Sequence, residues 1–186
     1  MHLYYLNDKE LTYDGTQLSS LFTFRRFGIQ GDSIVGFTGS CKVELTELVD
    51  IQDVRENAPI YSDKMLHFII EHFESSLTLI TTRQRLFMAI IKELLESTVD
   101  SQILRKGDDL FVNDGKLSVS IATVSPVSGL IHAALNITNE GTPIKTACLN
   151  EIGVYKIEHF AGKVMERYKE EVISIKNACC KVRGVN

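Results

Sequence analysis

A chain of 186 residues with 44% hydrophobic side chains is long enough to bury a core, and we expect a single domain over residues 1–186. Its net charge is −4, from 24 acidic and 20 basic side chains without a lysine or arginine block, which does not support a broad interface with nucleic acid. No apolar run approaches the roughly 20 residues that cross a bilayer, so we expect a cytoplasmic protein without a membrane partner. The four cysteines lack the spacing of a zinc site, and we expect reduced thiols and no structural metal.

The first elements are predicted to be peripheral strands. An apolar run from His2 to Leu6 ends at Asn7-Asp8, and a second short run precedes the turn at Asp14-Gly15. Turn residues between two such runs are typical of a hairpin. We therefore expect the segment from Glu10 to Tyr13 to pair with the first strand.

The segment from Leu21 to Ser40 alternates apolar with small residues and contains four glycines. One interpretation is a twisted hairpin with bulges and exposed arginines. The other is an anion site, because backbone N–H groups beside guanidinium groups bind phosphate or carboxylate. In that second interpretation the binding residues are Arg25, Arg26, Gly28, Gln30, Gly31, Asp32 and Ser33.

The next region is predicted to be helical. Residues 44–57 are acidic and weakly periodic, which indicates a helical turn and a loop that ends near Pro59. Ser62-Asp63 is typical of a helix start. His67 and Glu71, four residues apart, are then either a base with its orienting partner or a solvated surface pair. The stripe that this helix would bury consists of Met65, Leu66, Ile69, Ile70 and Phe73.

Two further helices are predicted, one on each side of the central stretch. Leu77 to Ile80 suits a short buried strand, after which Thr81 or Thr82 caps a helix. The last helix is expected from Lys156 to Asn177. Its apolar stripe consists of Phe160, Val164, Tyr168, Val172 and Ile175.

The central stretch, residues 107–137, predicts antiparallel strands around tight turns. Asp114-Gly115 is a hairpin signal that places Lys116 directly after the turn. A second turn at residues 125–129 returns the chain through a strand that carries His132 and Asn136. Their even spacing puts both side chains on one side of the sheet, either in a pocket or as satisfied sheet residues. We expect three consecutive antiparallel strands over residues 109–138, packed under the helices that begin near Ser62 and Thr82.

Together these elements predict an α+β domain with helices on a largely antiparallel sheet. The central stretch also resembles the catalytic core of biotin protein ligases, lipoate protein ligases and octanoyl transferases, and this resemblance implies a fold of the class II synthetase and biotin/lipoate ligase type. The segments that carry the resemblance are DLFV at 109–112, NDG at 113–115, KLS at 116–118 and HAALNI at 132–137. Most of the chain, through RRFGIQGDSIVGF and MLHFIIEHF, resembles the uncharacterised prokaryotic proteins of domain-of-unknown-function family 366.

The ligase resemblance gives candidate roles to two residues. It implies that Lys116 contacts an acyl carbonyl and phosphate, where a fixed ammonium stabilises developing charge; otherwise Lys116 is a solvated lysine after a turn. In octanoyl transferases a cysteine shortly after the Leu-Asn segment accepts the acyl group. Cys148 stands in a comparable place and is either that nucleophile or a buried thiol.

The resemblance implies a ligase or acyl transferase that binds a small carboxylic acid or its acyl-adenylate. ATP with Mg²⁺ would be its cofactor, an acceptor protein its second substrate, and a homodimer its assembly. The alternative hypothesis is a non-catalytic module that binds a small metabolite on the same fold.

Overall fold

The computed structural model describes residues 1–7, 11–57, 60–140 and 144–185. Within these ranges the chain forms eight strands, four α-helices and a 3₁₀ turn at Leu45–Glu47. The strands are β1 His2–Tyr5, β2 Ser33–Val43, β3 Ile60–His72, β4 Leu104–Lys106, β5 Asp109–Val112, β6 Gly115–Lys116, β7 Ser118–Val124 and β8 Gly129–Asn136. The helices are α1 Phe22–Phe27, α2 Ile51–Arg55, α3 Leu77–Glu96 and α4 Ile157–Cys179.

The strands form two sheets. The larger has five strands in the order β1-β2-β3-β8-β7, and the smaller has three in the order β4-β5-β6. The pairings between the described strands are antiparallel except the one between β1 and β2. The predicted α+β fold with a largely antiparallel sheet is therefore confirmed.

The two faces of the larger sheet are covered differently. Helices α3 and α4 pack on one face, where Phe68, Phe87 and Tyr168 lie in a single apolar core. The hydroxyl of Tyr168 also lies 2.9 Å from His72 Nε2, which ties α4 to the end of β3. The opposite face is covered by segment 11–22 and its neighbours, and a smaller apolar cluster there includes Tyr13 and Phe37. A cavity remains on this second face.

The helix predicted from Ser62 is wrong, because this segment is the central strand β3. Leu66, Phe68 and Ile70 face the core under α3 and α4, and Met65 and Ile69 face the other cluster. A strand that is buried on both faces loses its period-2 pattern. Its apolar residues then also match a helical stripe.

The strand predicted from Leu77 to Ile80 is wrong as well. These residues form the first turn of α3, and the hydroxyl of Ser76, rather than Thr81 or Thr82, accepts a hydrogen bond from Leu79 N at 3.3 Å. The last helix is confirmed over Ile157–Cys179, although Ile175 of its predicted stripe is exposed. A helical turn within residues 44–57 is also confirmed, as the 3₁₀ turn and α2, whereas Pro59 lies outside the described residues.

The predicted hairpin over residues 21–40 is replaced by helix α1 and a single strand, β2. The predicted partner of β1 is also wrong: β1 pairs in parallel with β2, and Tyr13 bridges to Cys41. Glu10 lies outside the described residues.

Close packing of the backbone explains why small residues alternate with apolar ones in β2. A Cβ at Gly39 would lie 2.1 Å from the backbone oxygen of Leu11. Gly39 therefore makes room for the protein's own backbone at Leu11 and not for a ligand.

The central stretch forms strands, but not a single run of three. Strands β5 and β6 belong to the smaller sheet, and β7 and β8 belong to the larger one, with Leu117 between them. The turn residues with positive φ are Asn113 and Asp114, at 48° and 63°, rather than Asp114 and Gly115. Gly115 is required for space, because a Cβ there would lie 2.8 Å from the backbone nitrogen of Ala147.

Across the described ranges, none of the helices is both long enough and apolar enough to cross a membrane.

Candidate functional site

A partly enclosed cavity of about 640 Å³ lies on the second face of the larger sheet. Its floor includes Met65 of β3, Val119 of β7 and His132 of β8, and residues of the segment around α2 form one wall. Tyr13 and residues 108, 109 and 116 are also among the lining residues. We call this space the Lys116 cavity. Its walls are mainly apolar, and a few polar groups converge within it, as in small-molecule sites.

Lys116 reaches the cavity with its charge already paired. Its Nζ lies 2.9 Å from Oδ2 of Asp109, and both side chains are partly exposed. Burial raises the pKa of Asp109, and the hydrogen bond from Lys116 opposes that increase. An incoming anion would have to share the ammonium with this carboxylate.

The backbone of Lys116 is fixed by the neighbouring chain. Asn136 Nδ2 donates to the carbonyls of Lys116 and Ala147, each at 3.2 Å. The Oδ1 atom of Asn136 accepts from Ser62 Oγ at 3.3 Å. Asn136 lines the cavity, but its hydrogen bonds hold the base of Lys116 in place rather than leaving its amide free for a ligand.

Tyr13 and His132, which line the cavity, stack with each other and with the fully buried His67. His132 Nε2 lies 3.1 Å from His67 Nδ1, and His67 Nε2 lies 3.3 Å from the carbonyl oxygen of Gly39. The ring of Tyr13 stacks on His132 with 3.6 Å between centroids and an interplanar angle of 11°. Burial lowers the pKa of His67 to about 4, and burial together with the neighbouring His67 lowers the pKa of His132 well below its ordinary value, so both rings are neutral at pH 7.

The charged residues that line the cavity are mostly acidic. Lys116 is the only positively charged side chain among the described lining residues, because His132 is neutral. Five carboxylates accompany it: Glu47, Asp50, Asp53, Asp108 and Asp109. Burial and the nearby Asp50 raise the pKa of Asp53. These carboxylates disfavour a ligand with high negative charge.

The predicted anion loop does not reach this cavity. None of its seven residues is among the described residues that line the space. Helix α1 is anchored at the other end of β3, where Leu21 N donates to Glu71 at 2.7 Å. Glu71 is six residues from Met65, which corresponds to about 20 Å of strand. The structure therefore brings together Lys116, His132 and Asn136, and leaves Arg25 and Arg26 outside.

The residues of that segment have local roles. Arg25 and Arg26 are exposed, as is Gln30, and Arg25 donates to Ser19 Oγ at 2.8 Å. Gly28 and Gly31 adopt positive φ of 69° and 89° around the end of α1. Asp32 accepts from Phe73 N at 2.9 Å, and Ser33 Oγ donates to Thr23 Oγ1 at 2.9 Å. These contacts tie β2 to its neighbours.

Cys148 is a buried thiol with 3% exposure and does not line the cavity. Cys148 is two residues after Thr146, which forms a β-bridge with Lys116, so Cys148 lies close to the lysine in the fold. Burial raises its pKa above the ordinary value. A buried, protonated thiol lacks the exposure and thiolate character of a nucleophile.

Sequence reasoning did not assign site roles to Tyr13 or Asp109, and it placed His67 on a helix beside Glu71 rather than on a strand beside His132. The signal for His67 was its even spacing from Ile69 and Glu71, which places all three on one face once the segment is a strand. Asp109 lies two residues before Phe111, the cross-strand partner of Lys116. That diagonal position is within reach of a long side chain.

The model of the family described as "Domain of unknown function (DUF366)" matches residues 1–183. The chain belongs to this family. One relative is an uncharacterized protein of Methanocaldococcus jannaschii. It is 34% identical over an alignment of 181 residues, which covers 94% of this chain and 81% of the relative.

Solved structures place the DUF366 chain in a wider fold group. A protein of unknown function from Pyrococcus horikoshi is 38% identical, with a TM-score of 0.95 over 100% of this chain and 99% of that one. A biotin protein ligase from Aquifex aeolicus, in complex with biotin and ATP, has a TM-score of 0.64 at 14% identity over 95% and 72% of the two chains. A putative lipoate protein ligase from T. acidophilum with bound lipoic acid has a TM-score of 0.59 at 11% identity over 91% and 86%. The fold is thus that of the biotin and lipoate ligases.

Proposed function

We propose that this protein binds a small organic molecule in the Lys116 cavity. The observation that carries the proposal is the cavity itself, about 640 Å³ with mainly apolar walls and a few fixed polar groups. The similar fold of the Aquifex biotin ligase was solved with biotin and ATP, and that of the T. acidophilum protein with lipoic acid. A small-molecule site is therefore compatible with this architecture.

Binding is better supported than ATP-dependent ligation. A triphosphate needs several cations that converge on it, whereas the described lining residues supply one ammonium, already paired with Asp109, and five carboxylates. These residues do not fit ATP with Mg²⁺ in the way that the ligase resemblance implies.

A ligase or acyl transferase is the second candidate, favoured by the position of Lys116. The lysine follows a rigid two-residue turn, its backbone is held by Asn136, and its ammonium enters the cavity. A fixed ammonium of this kind can stabilise charge on an acyl group. On this candidate function the ligand is a small carboxylic acid or its activated derivative, and an acceptor protein takes the product.

A cavity-filling variant tests the proposed binding. Val119→Trp on β7 places a large ring in the cavity, whereas Thr123→Trp changes the same face of the same strand outside the described lining residues. A panel of small fragments is screened by saturation-transfer NMR. We expect fragments that bind wild type and Thr123→Trp but not Val119→Trp; a panel without any fragment of this kind contradicts the proposal.

The ligase candidate has a separate readout. Biotin, lipoic acid and octanoic acid are each incubated with ATP and Mg²⁺, and pyrophosphate release is measured. Release that depends on one of these acids and falls on the order of 100-fold in Lys116→Ala supports the ligase candidate. The absence of acid-dependent release from wild type contradicts ATP-dependent ligation of these three acids.

A further inference from the structure

The hydrogen bonds at the cavity floor determine which nitrogen of each histidine carries the proton. The Gly39 carbonyl can only accept, so the His67 Nε2 atom that faces it at 3.3 Å must carry hydrogen. A neutral imidazole has one N–H, which leaves His67 Nδ1 as an acceptor. His132 Nε2, 3.1 Å away, must then be the donor to it.

The reverse arrangement of protons is unfavourable. If His67 carried its hydrogen on Nδ1, its Nε2 lone pair would face the Gly39 carbonyl oxygen, and two acceptors would meet in the core with no hydrogen between them. Protonation of both rings would place two positive charges 3.1 Å apart in the core. Burial already lowers the pKa of both groups.

The second nitrogen of His132 is consequently an unprotonated acceptor. Nδ1 of His132 has no hydrogen-bond partner among residues 1–7, 11–57, 60–140 and 144–185. The ring lines the cavity although its residue is only 3% exposed. Stacking on Tyr13 fixes the plane of the ring, and with it the direction of the Nδ1 lone pair.

We propose that Nδ1 of His132 is the group at the floor of the Lys116 cavity that recognises the ligand, and that it selects a molecule with an N–H or O–H donor at its buried end and no net negative charge. This inference rests on the proposed binding function and names the chemistry of its ligand. Gly39 and His67 act as positioning groups, because they set the tautomer without touching the ligand.

The charges of the lining residues support the same class of ligand. A carboxylate that approached His132 would bring two acceptors together, since neither group carries a hydrogen between them. The same anion would also enter a space lined by five carboxylates, of which Asp108 and Asp109 are paired with Arg85 and Lys116. An amine or alcohol meets neither penalty, and an ammonium is attracted by the acidic residues.

The tautomer is tested directly on the wild-type protein. Two-bond ¹H–¹⁵N correlation spectra of ¹⁵N-labelled protein at pH 7 distinguish protonated from unprotonated ring nitrogens, and His→Gln variants assign the five histidines. We expect the Nε2–H tautomer with an unprotonated Nδ1 for both His67 and His132. An Nδ1–H tautomer or an imidazolium at His132 overturns the inference, whatever binds in the cavity.

Recognition is tested with three probes that share one apolar body. These are 4-phenylbutylamine, 4-phenylbutan-1-ol and 4-phenylbutyrate, and their dissociation constants are measured by NMR titration. We expect the amine and the alcohol to bind at least tenfold more tightly than the carboxylate. His132→Phe keeps a ring under Tyr13 but removes the acceptor, and it should weaken alcohol binding about tenfold, whereas His159→Phe on the exposed face of α4 should not.

The outcomes separate the inference from the proposed function. Equal or tighter binding of the carboxylate, or an unchanged alcohol affinity in a folded His132→Phe protein, contradicts the role of His132 alone. Failure of all three probes to bind, together with a negative fragment screen, contradicts the binding function and with it the recognition role.

Discussion

Single residues in this protein have chemistry that their surroundings set. The partly exposed pair between Lys116 and Asp109 contributes at most about 1 kcal/mol to stability. Its importance is positional, because it holds the ammonium at one place in the cavity. His67, in contrast, is fully buried, and burial favours the neutral form of its imidazole in the folded protein.

Acid should destabilise the protein through its buried histidines. The pKa of His67 is lowered from 6.5 to about 4 in the folded state, so the unfolded chain binds more protons between these values. The free energy of unfolding should therefore fall as the pH is lowered from about 6.5 to about 4, by on the order of 3 kcal/mol from His67 alone. Urea unfolding at a series of pH values measures this slope.

The control for this prediction is His67→Gln, which should flatten the slope over that window, whereas His159→Gln should leave it unchanged. His132 and His72 have lowered pKa values as well and contribute with the same sign. If the free energy of unfolding of wild type did not change between pH 4 and 6.5, this would contradict the conclusion that His67 and His132 are buried in their neutral forms.

Cys148 should not form an acyl adduct. It is buried, and it does not line the cavity. After incubation with octanoyl-coenzyme A, mass spectrometry of proteolytic peptides should show no octanoyl group on Cys148, and Cys148→Ser should leave the total extent of acylation, including any on the exposed Cys179 and Cys180, unchanged. An adduct that disappears in Cys148→Ser would instead identify a thioester transferase.

At the level of elements, strand β2 shows why glycine occurs in an otherwise regular strand. Its register with β3 shifts between Gly39 and Cys41, and segment 11–13 crosses beside it. The same place supplies the carbonyl that orients His67. The shape of β2 therefore connects the packing of the strand to the chemistry of the cavity floor.

Gly39→Ala should destabilise the protein by about 1–3 kcal/mol, because its Cβ would lie 2.1 Å from a backbone oxygen that cannot rotate away. Gly162→Ala in α4 is the matched control. It has no atom within 4 Å of the new methyl group, and it should stabilise the helix by about 0.5–1 kcal/mol. Chemical denaturation measures both, and similar stabilities for the two variants would show that segment 11–13 can move.

For the whole molecule, one core joins the two sheets. Leu110 and Val112 of the smaller sheet belong to the same apolar cluster as residues of β3, β8, α3 and α4. The chain should consequently unfold in one cooperative transition, as a single domain does. The expected homodimer stays a prediction that sedimentation can test.

Calorimetry checks the single-domain prediction through equal calorimetric and van't Hoff enthalpies. Leu110→Ala should lower the stability of the entire transition by about 2–5 kcal/mol, because Leu110 is fully buried. Leu104→Ala, in the exposed neighbouring strand β4, should change little. Two separate transitions, with Leu110→Ala affecting only one, would mean that the sheets are independent.

The sequence by itself determined the features that local patterns encode. The α+β class, the long helix α4, the turn before Lys116 and the common side of His132 and Asn136 all follow from turn residues and side-chain periodicity. These signals survive because α4 and the turns are each exposed on one side, so polar and apolar positions differ.

Only the tertiary structure decided the rest. The segment from Ile60 to His72 is a strand because sheet and helices bury both its faces, which removes the periodicity that would identify it. The separation of Arg25 from Lys116, the burial of Cys148 and the stack of Tyr13 on His132 depend on segments far apart in the chain. Such convergence is a property of packing, and no local pattern of residues records it.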